Sequence, residues 1–216
     1  VQILADEIPG DTNQPEQEIR FTVTDGKHGS TQDFDASSDI KVTRDGRTYP
    51  AKKLDGIIED GLQVYSFTAD VNGTYSIVAT DEAGNSNAGA TEDVDCIKLQ
   101  IFDRIDPAIT YIAVTDPTAH VEGTDGWYNS TVTVTVTASD GDPSSSAYPT
   151  DVKSGIAKVE YKLPGDENVW AAIGTTNVTT DETGVTTATF TVDTNGIYTA
   201  EGLGQIQVKV TDNAGN

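Results

Sequence analysis

The chain has 216 residues, 35 of them acidic and 13 basic, for a formal net charge of −22. A surface that negative repels phosphate backbones, which argues against nucleic acid as a partner, and it leaves many carboxylates available to a divalent cation. Apolar residues make up only 36% of the chain. No apolar run approaches the roughly 20 residues of a membrane span and no signal peptide is visible, so no direct membrane insertion is expected.

Short Val/Thr alternations punctuated by Gly and Asp predict many brief strands on half-wet sheets. Val1–Ile8 opens as a strand. Glu18–Thr24 alternates Ile19, Phe21 and Val23 inward and stops at Asp25-Gly26, a turn signal. Ile40–Tyr49 encloses Arg44-Asp45-Gly46, which closes a hairpin. Leu62–Ala69 points Leu62, Val64 and Phe67 toward a core, and Thr74–Thr80 does the same with Tyr75, Ile77 and Ala79. Cys96–Phe102 places Ile97, Leu99 and Ile101 on one face. Its Cys96 is the only cysteine, which rules out an internal disulfide framework and reads as a small buried hydrophobe.

The order then repeats. Ile109–Val114 opens a second set, and Thr131–Ala138 is the clearest strand, with Val132, Val134, Val136 and Ala138 inward and threonines outward. Ile156–Leu163, Val185–Val192 and Gln205–Thr211 follow, the last with Ile206, Val208 and Val210 inward. Two phrases anchor the repetition. FTADVNG at Phe67–Gly73 matches FTVDTNG at Phe190–Gly196 in five of seven places, and TDEAGN at Thr80–Asn85 matches TDNAGN at Thr211–Asn216 in five of six. Two anchors in one order indicate two copies of one domain, divided as 1–103 and 104–216. Seven short strands with frequent turns are the pattern of an immunoglobulin-like sandwich, so the fold class is all-β, two tandem immunoglobulin-like β-sandwich domains. The first copy runs on past Asn85 into a last strand whereas the second stops at Asn216, so the strand before it should offer an unpaired edge. The chain begins at Val1 and has no Met, as expected of a fragment of a longer protein.

The TDEAGN and TDNAGN phrases, each closing a strand that begins after an Asn-Gly turn, resemble bacterial Ig-like domains. Ile97–Ile109 (IKLQIFDRIDPAI) is similar to the Asp-x-x-x-Pro passage that joins one such domain to the next. Trp127–Tyr161, with GWYNSTVTVTVTASD and then SGIAKVEYKL, resembles a variant common in large surface proteins of Gram-positive bacteria. The resemblance covers nearly the whole chain, although the first copy lacks the Trp-Tyr opening and the SGI phrase. It implies an extracellular or cell-surface setting and use in adhesins, surface-layer proteins or multi-domain glycosidases. The implied partners are neighbouring domains of the same chain, with a host glycan or protein as a further possibility.

Catalytic constellations are not found in the sequence. His28 and His120 both lie in polar stretches, and Lys27-His28-Gly29-Ser30 reads as a solvated loop because residues so close in sequence cannot easily set base–nucleophile geometry. There is no Cys/His cluster for zinc and no Gly-rich phosphate loop, so a non-catalytic chain is expected. Calcium is the sharper reading. In such a sandwich the loops carrying Asp140, Asp142 and Asp212 lie at the end where the chain enters, beside linker residues Asp103 and Asp106, with Pro107 stiffening the exit. Carboxylates from three places should then converge at the joint, where calcium takes six to eight oxygen ligands. Asp70 and Asn72 would face them, and Asp25 and Asp81 are the first copy's equivalents. Similar adhesin repeats hold calcium at their joints. The bland alternative is turn-forming, solvated aspartates. Trp127, Tyr128 and Trp170 are a candidate sugar-stacking platform, weighed against packing on the core or its rim. The leading expectation is a stalk or spacer module of a bacterial surface protein; the alternative is a carbohydrate-binding or accessory module of a secreted glycosidase.

Overall fold

Runs rich in β-branched and aromatic residues lose little by adopting extended backbone and gain by packing across a pleated face. In the computed structural model, which describes residues 2–5, 8–24, 34–88, 95–115, 131–142, 147–164, 169–192 and 206–216, regular structure is accordingly β throughout, apart from a single 3-10 turn at Thr175–Asn177. Four antiparallel sheets result. The chain divides into two compact units: Val1–Arg104 with Ala147–Val152, and Ile105–Ser146 with Lys153–Asn216. The expected division after Asp103 did not foresee that the short segment Ala147–Val152 belongs with the first unit.

The first unit runs β1 (Gln2–Ala5), β2 (Gln17–Thr24), β3 (Ile40–Arg44), β4 (Arg47–Tyr49), β5 (Lys52–Glu59), β6 (Leu62–Ala69), β7 (Gly73–Ala79) and β8 (Cys96–Leu99). Its sheets have the orders β1-β2-β6-β5 and β4-β3-β7-β8. They face each other across an aromatic core, with Phe21 and Phe67 from the first sheet and Tyr49 and Tyr75 from the second all buried in one cluster. The Phe67–Tyr75 and Tyr49–Tyr75 ring centroids are each 5.0 Å apart, a spacing worth about 0.5–1.5 kcal/mol per pair beyond area burial. Tyr65 is also wholly buried, and its hydroxyl is satisfied by donating to Phe34 O at 3.1 Å and accepting from Phe34 N at 2.9 Å.

Three expectations need correction here. Along β6 the core face is Tyr65, Phe67 and Ala69, not Leu62 and Val64. Val64 is buried on the opposite side and Leu62 is half-buried. Both faces of this central strand are covered, so alternation alone could not fix its parity. Cys96 is half-buried rather than buried, because Ile97 and Leu99 take the inward positions of β8. Strand β5 was not anticipated: KKLDGIIE does not alternate and Asp55-Gly56 reads as a turn, yet β6 holds it as an edge strand across a register shift between Lys53 and Ile58.

The second unit runs β9 (Ala108–Thr115), β10 (Val132–Ser139), β11 (Ile156–Lys162), β12 (Ala171–Ala172), β13 (Val178–Thr180), β14 (Val185–Val192) and β15 (Gln207–Asp212). The sheet orders are β13-β14-β10-β9 and β12-β11-β15. Val132, Val134 and Val136 pair across from Val192, Phe190 and Ala188, and all six are buried. Tyr161 of β11 stacks on Phe190 at 4.0 Å and 13° between ring planes, joining the second sheet to this core. The paired phrases fix the correspondence between units. FTADVNG begins in β6 and FTVDTNG in β14; TDEAGN follows β7 and TDNAGN closes β15. Hence β9, β10, β14 and β13 occupy the places of β1, β2, β6 and β5, and β12, β11 and β15 those of β4, β3 and β7.

Candidate functional site

The duplicated TDxAGN phrase does the same physical work in both units. Asp81 accepts from the backbone N–H of Asn85 at 2.8 Å and from its side-chain amide at 2.8 Å. Asp212 accepts from the backbone N–H of Asn216 at 2.9 Å, from its side-chain amide at 2.9 Å, and from Gly215 N–H at 2.7 Å. Gly84 and Gly215 sit at φ of 86° and 94°, a left-handed conformation that a Cβ would strain. Each aspartate thereby closes its own turn, as Asx side chains do. A third such turn, Thr180–Val185 (TDETGV), was not singled out from sequence. There Asp181 accepts from Thr183 N–H and Oγ1–H at 2.8 and 2.7 Å and from Val185 N–H at 3.0 Å, so the signal is the T-D-x-x-G spacing rather than the full phrase.

These bonds favour the ionised carboxylates. The Asn85 side-chain amide, then its backbone N–H, hold Asp81 below its ordinary value of 3.8. The Thr183 hydroxyl, followed by the Val185 and Thr183 amides, does the same for Asp181.

Of the proposed metal ligands, Asp140 and Asp212 lie together in the second unit. Both are buried, and each offers a carboxylate oxygen within 4.8 Å of the other. Asp140 Oδ2 accepts from Gly155 N–H at 2.6 Å. Asp212 receives two of its three turn bonds on Oδ1 and one on Oδ2. A carboxylate has about four lone-pair positions, one more than the three turn bonds that Asp212 accepts. Asp106 and Asp142, also in this unit, are exposed and are not gathered with the pair. Asp103 belongs to the first unit, where it is fully buried and its N–H donates to Thr12 O at 3.0 Å. Asp25 lies outside the described residues.

Asp70 and Asn72 are engaged within the first unit. Asp70 is ion-paired with Arg47 and accepts from Tyr49 Oη–H at 3.1 Å. Asn72 Oδ1 accepts from the N–H groups of Ile101 and Phe102 at 2.8 and 2.9 Å, while its amide donates to Phe102 O and Thr150 O at 2.8 and 3.1 Å. The adjacent Arg104–Asp151 pair was missed. Arg104 Nε and Nη2 donate to the two Asp151 oxygens at 2.8 and 2.6 Å, Arg104 N–H donates to Oδ2 at 3.0 Å, and Nη1 reaches Asp70 O at 3.0 Å. The Asp151 side chain is wholly buried and the Arg104 side chain is 11% exposed. The guanidinium also lies 4.1 Å from the Tyr148 ring centroid, a cation–π geometry. The pair anchors Ala147–Val152 to the first unit. Nothing in the local sequence marks Asp151, since its partner is 47 residues away.

Trp170 stands at the edge of the second unit, 37% exposed, with Lys162 Nζ 5.4 Å from its ring centroid. It is a rim residue, not a core one. Trp127, Tyr128, His28 and His120 lie outside the described residues. The sequence matches no protein-family model and no curated protein.

Removing one partner of a buried, bidentate pair strands the other charge. Asp151→Ala should therefore destabilise the first unit by about 3–5 kcal/mol, read as a lower denaturant midpoint at unchanged slope. A second expectation concerns acid. A depressed carboxyl stabilises the fold at pH above its ordinary value, and that contribution is lost as pH falls through the lower folded value. Asn85→Ala should move the Asp81 titration, followed by carboxyl NMR, up toward 3.8, and shrink the part of the acid-dependent stability loss that this group contributes; an unmoved titration contradicts the assigned cause.

Proposed function

We propose that the chain is a non-catalytic structural or adhesive module: two tandem immunoglobulin-like domains serving as stalk or spacer segments of a bacterial cell-surface or secreted protein. The observation that carries this reading is the repeated use of one turn device on one strand order, with Asp81, Asp181 and Asp212 each spent on closing a loop. The polar side chains of Asn72, Arg104 and Asp151 likewise brace backbone within the first unit. Such a chain works mechanically. Load applied along the polypeptide is carried by antiparallel ladders whose hydrogen bonds must rupture together. Stretching single molecules should give two separate unfolding events, each releasing roughly 100 residues at about 3.5 Å per residue. Gradual extension without discrete events speaks against a mechanical role.

Calcium belongs to the same proposal. Two buried carboxylates so close together repel each other, and a hard divalent cation between their oxygens offsets that repulsion. Extracellular modules bind calcium with dissociation constants around 10⁻⁴–10⁻³ M. At about 10 mM calcium, mass action then adds about 1.5–3 kcal/mol to the second unit, a rise of several degrees in its Tm. Asp140→Asn, which leaves the Asp212 turn in place, should remove the calcium-dependent rise; an equal Tm in calcium and in chelator rejects the metal without touching the spacer reading.

A further inference from the structure

We infer that the second unit carries a docking slot for one further β-strand, formed by the outer edge of β15 and the core-side apolar face of β9. The occupant is an extended segment of the chemistry of β8, apolar at alternating positions, supplied in trans by a partner other than a second copy of this chain. This goes beyond the spacer reading and does not depend on it.

The first observation is an exposure out of place. Residues directly opposite in an antiparallel pair share a face. Val134, Val136 and Ala138 of β10 face the core and are at most 1% exposed. Their partners on β9 are Val114, Ile112 and Ile109. These three also lie on the core side, yet they are 36%, 50% and 38% exposed. In the first unit the strand in the same place is β1, whose Ile3 pairs with core residue Val23 and is only 8% exposed.

The second observation shows what covers β1. Strand β8 adds antiparallel to β7, with Tyr75 opposite Ile97 and Gly73 opposite Leu99, and those two β8 side chains are 2% and 1% exposed. Asp95, the residue before β8, accepts the Ile3 N–H at 2.7 Å, so this strand lies across from β1. In the second unit β15 holds the place of β7, and among the described residues it pairs with β11 alone. Its Val208 and Val210 are only partly buried against the core. A β15 edge that no described residue pairs and exposed apolar residues on β9 thus have a single cause, and a single strand remedies both.

Charge favours this occupant over a second copy of the chain. Two molecules that each carry −22 repel one another, whereas Cys96–Phe102 contains Lys98 and no acidic residue.

The test uses the whole chain and a labelled synthetic peptide of Asp95–Phe102 carrying Cys96→Ser. Saturable one-to-one binding by anisotropy is expected, together with a higher Tm for the second unit. Ile112→Asp in the chain, an already exposed position, should weaken binding at least tenfold, as should Ile97→Asp with Leu99→Asp in the peptide. Absent binding, or binding indifferent to these changes, overturns the inference. So does sedimentation showing that the chain pairs with itself through this edge and loses that pairing on Ile112→Asp. A variant with residues 86–102 copied after Asn216 gives an independent reading: a monomer with a higher Tm is expected, and an unchanged Tm counts against the slot.

Discussion

A sheet that is apolar on one face needs a second layer over every strand of that face. The rest of this structure follows from that constraint. In the first unit it is met on both sheets, since the aromatic residues of β2 and β6 pack on those of β4 and β7, and β8 extends the cover as far as β1. In the second unit the same plan is laid down with one strand fewer among the described residues, and the shortfall appears where the plan requires, on the core side of β9. Exposed apolar residues on this strongly acidic chain are therefore the direct consequence of sheet geometry.

The second constraint is polar. Loops that reverse the chain leave backbone amides without ladder partners, and these need acceptors. Three times among the described residues the chain answers with the same arrangement, an aspartate whose carboxylate accepts the amide four residues ahead while the glycine before that donor takes the left-handed turn position. Acidic residues of this kind hold the fold together before any ligand is considered. That explains how a chain with so many carboxylates can use them as structural acceptors, Asp212 among them, while Asp140 lies buried beside it.

Much of the strand plan was legible because alternation is a strong signal where one face is wet. Val132, Val134, Val136 and Ala138, separated by threonines, admit only one reading, and so do Tyr75, Ile77 and Ala79. The signal fails where both faces are covered, as on β6, where Tyr65 and Phe67 rather than Leu62 and Val64 face the core. It also fails where neither face is, as on β5, whose residues are held by ladder bonds to β6 more than by burial. Asp140 and Asp212 could be named from loop position within the strand plan, because loops at one end of a sandwich are neighbours. Asp142 was named by the same rule and Asp106 from the entering linker, but both are exposed. Arg104 and Asp151 could not be named at all, since their bond depends on Ala147–Val152 packing with residues far earlier in the chain.

Residue-resolved amide exchange on the native chain tests the central claim, that one strand plan is built twice, the second time with one strand fewer among the described residues. Strand β7, bonded to β8 along Gly73–Ser76 and to β3 along Ser76–Ala79, with the Ile77 and Ala79 amides taken by Asp95 O and Asn87 Oδ1, should be protected at successive residues from Tyr75 to Ala79. Strand β15, bonded on one side only among the described residues, should show protection at alternate residues along Gln207–Asp212, with the outward amides exchanging fast. Continuous protection along β15 equal to that of β7 would contradict the account.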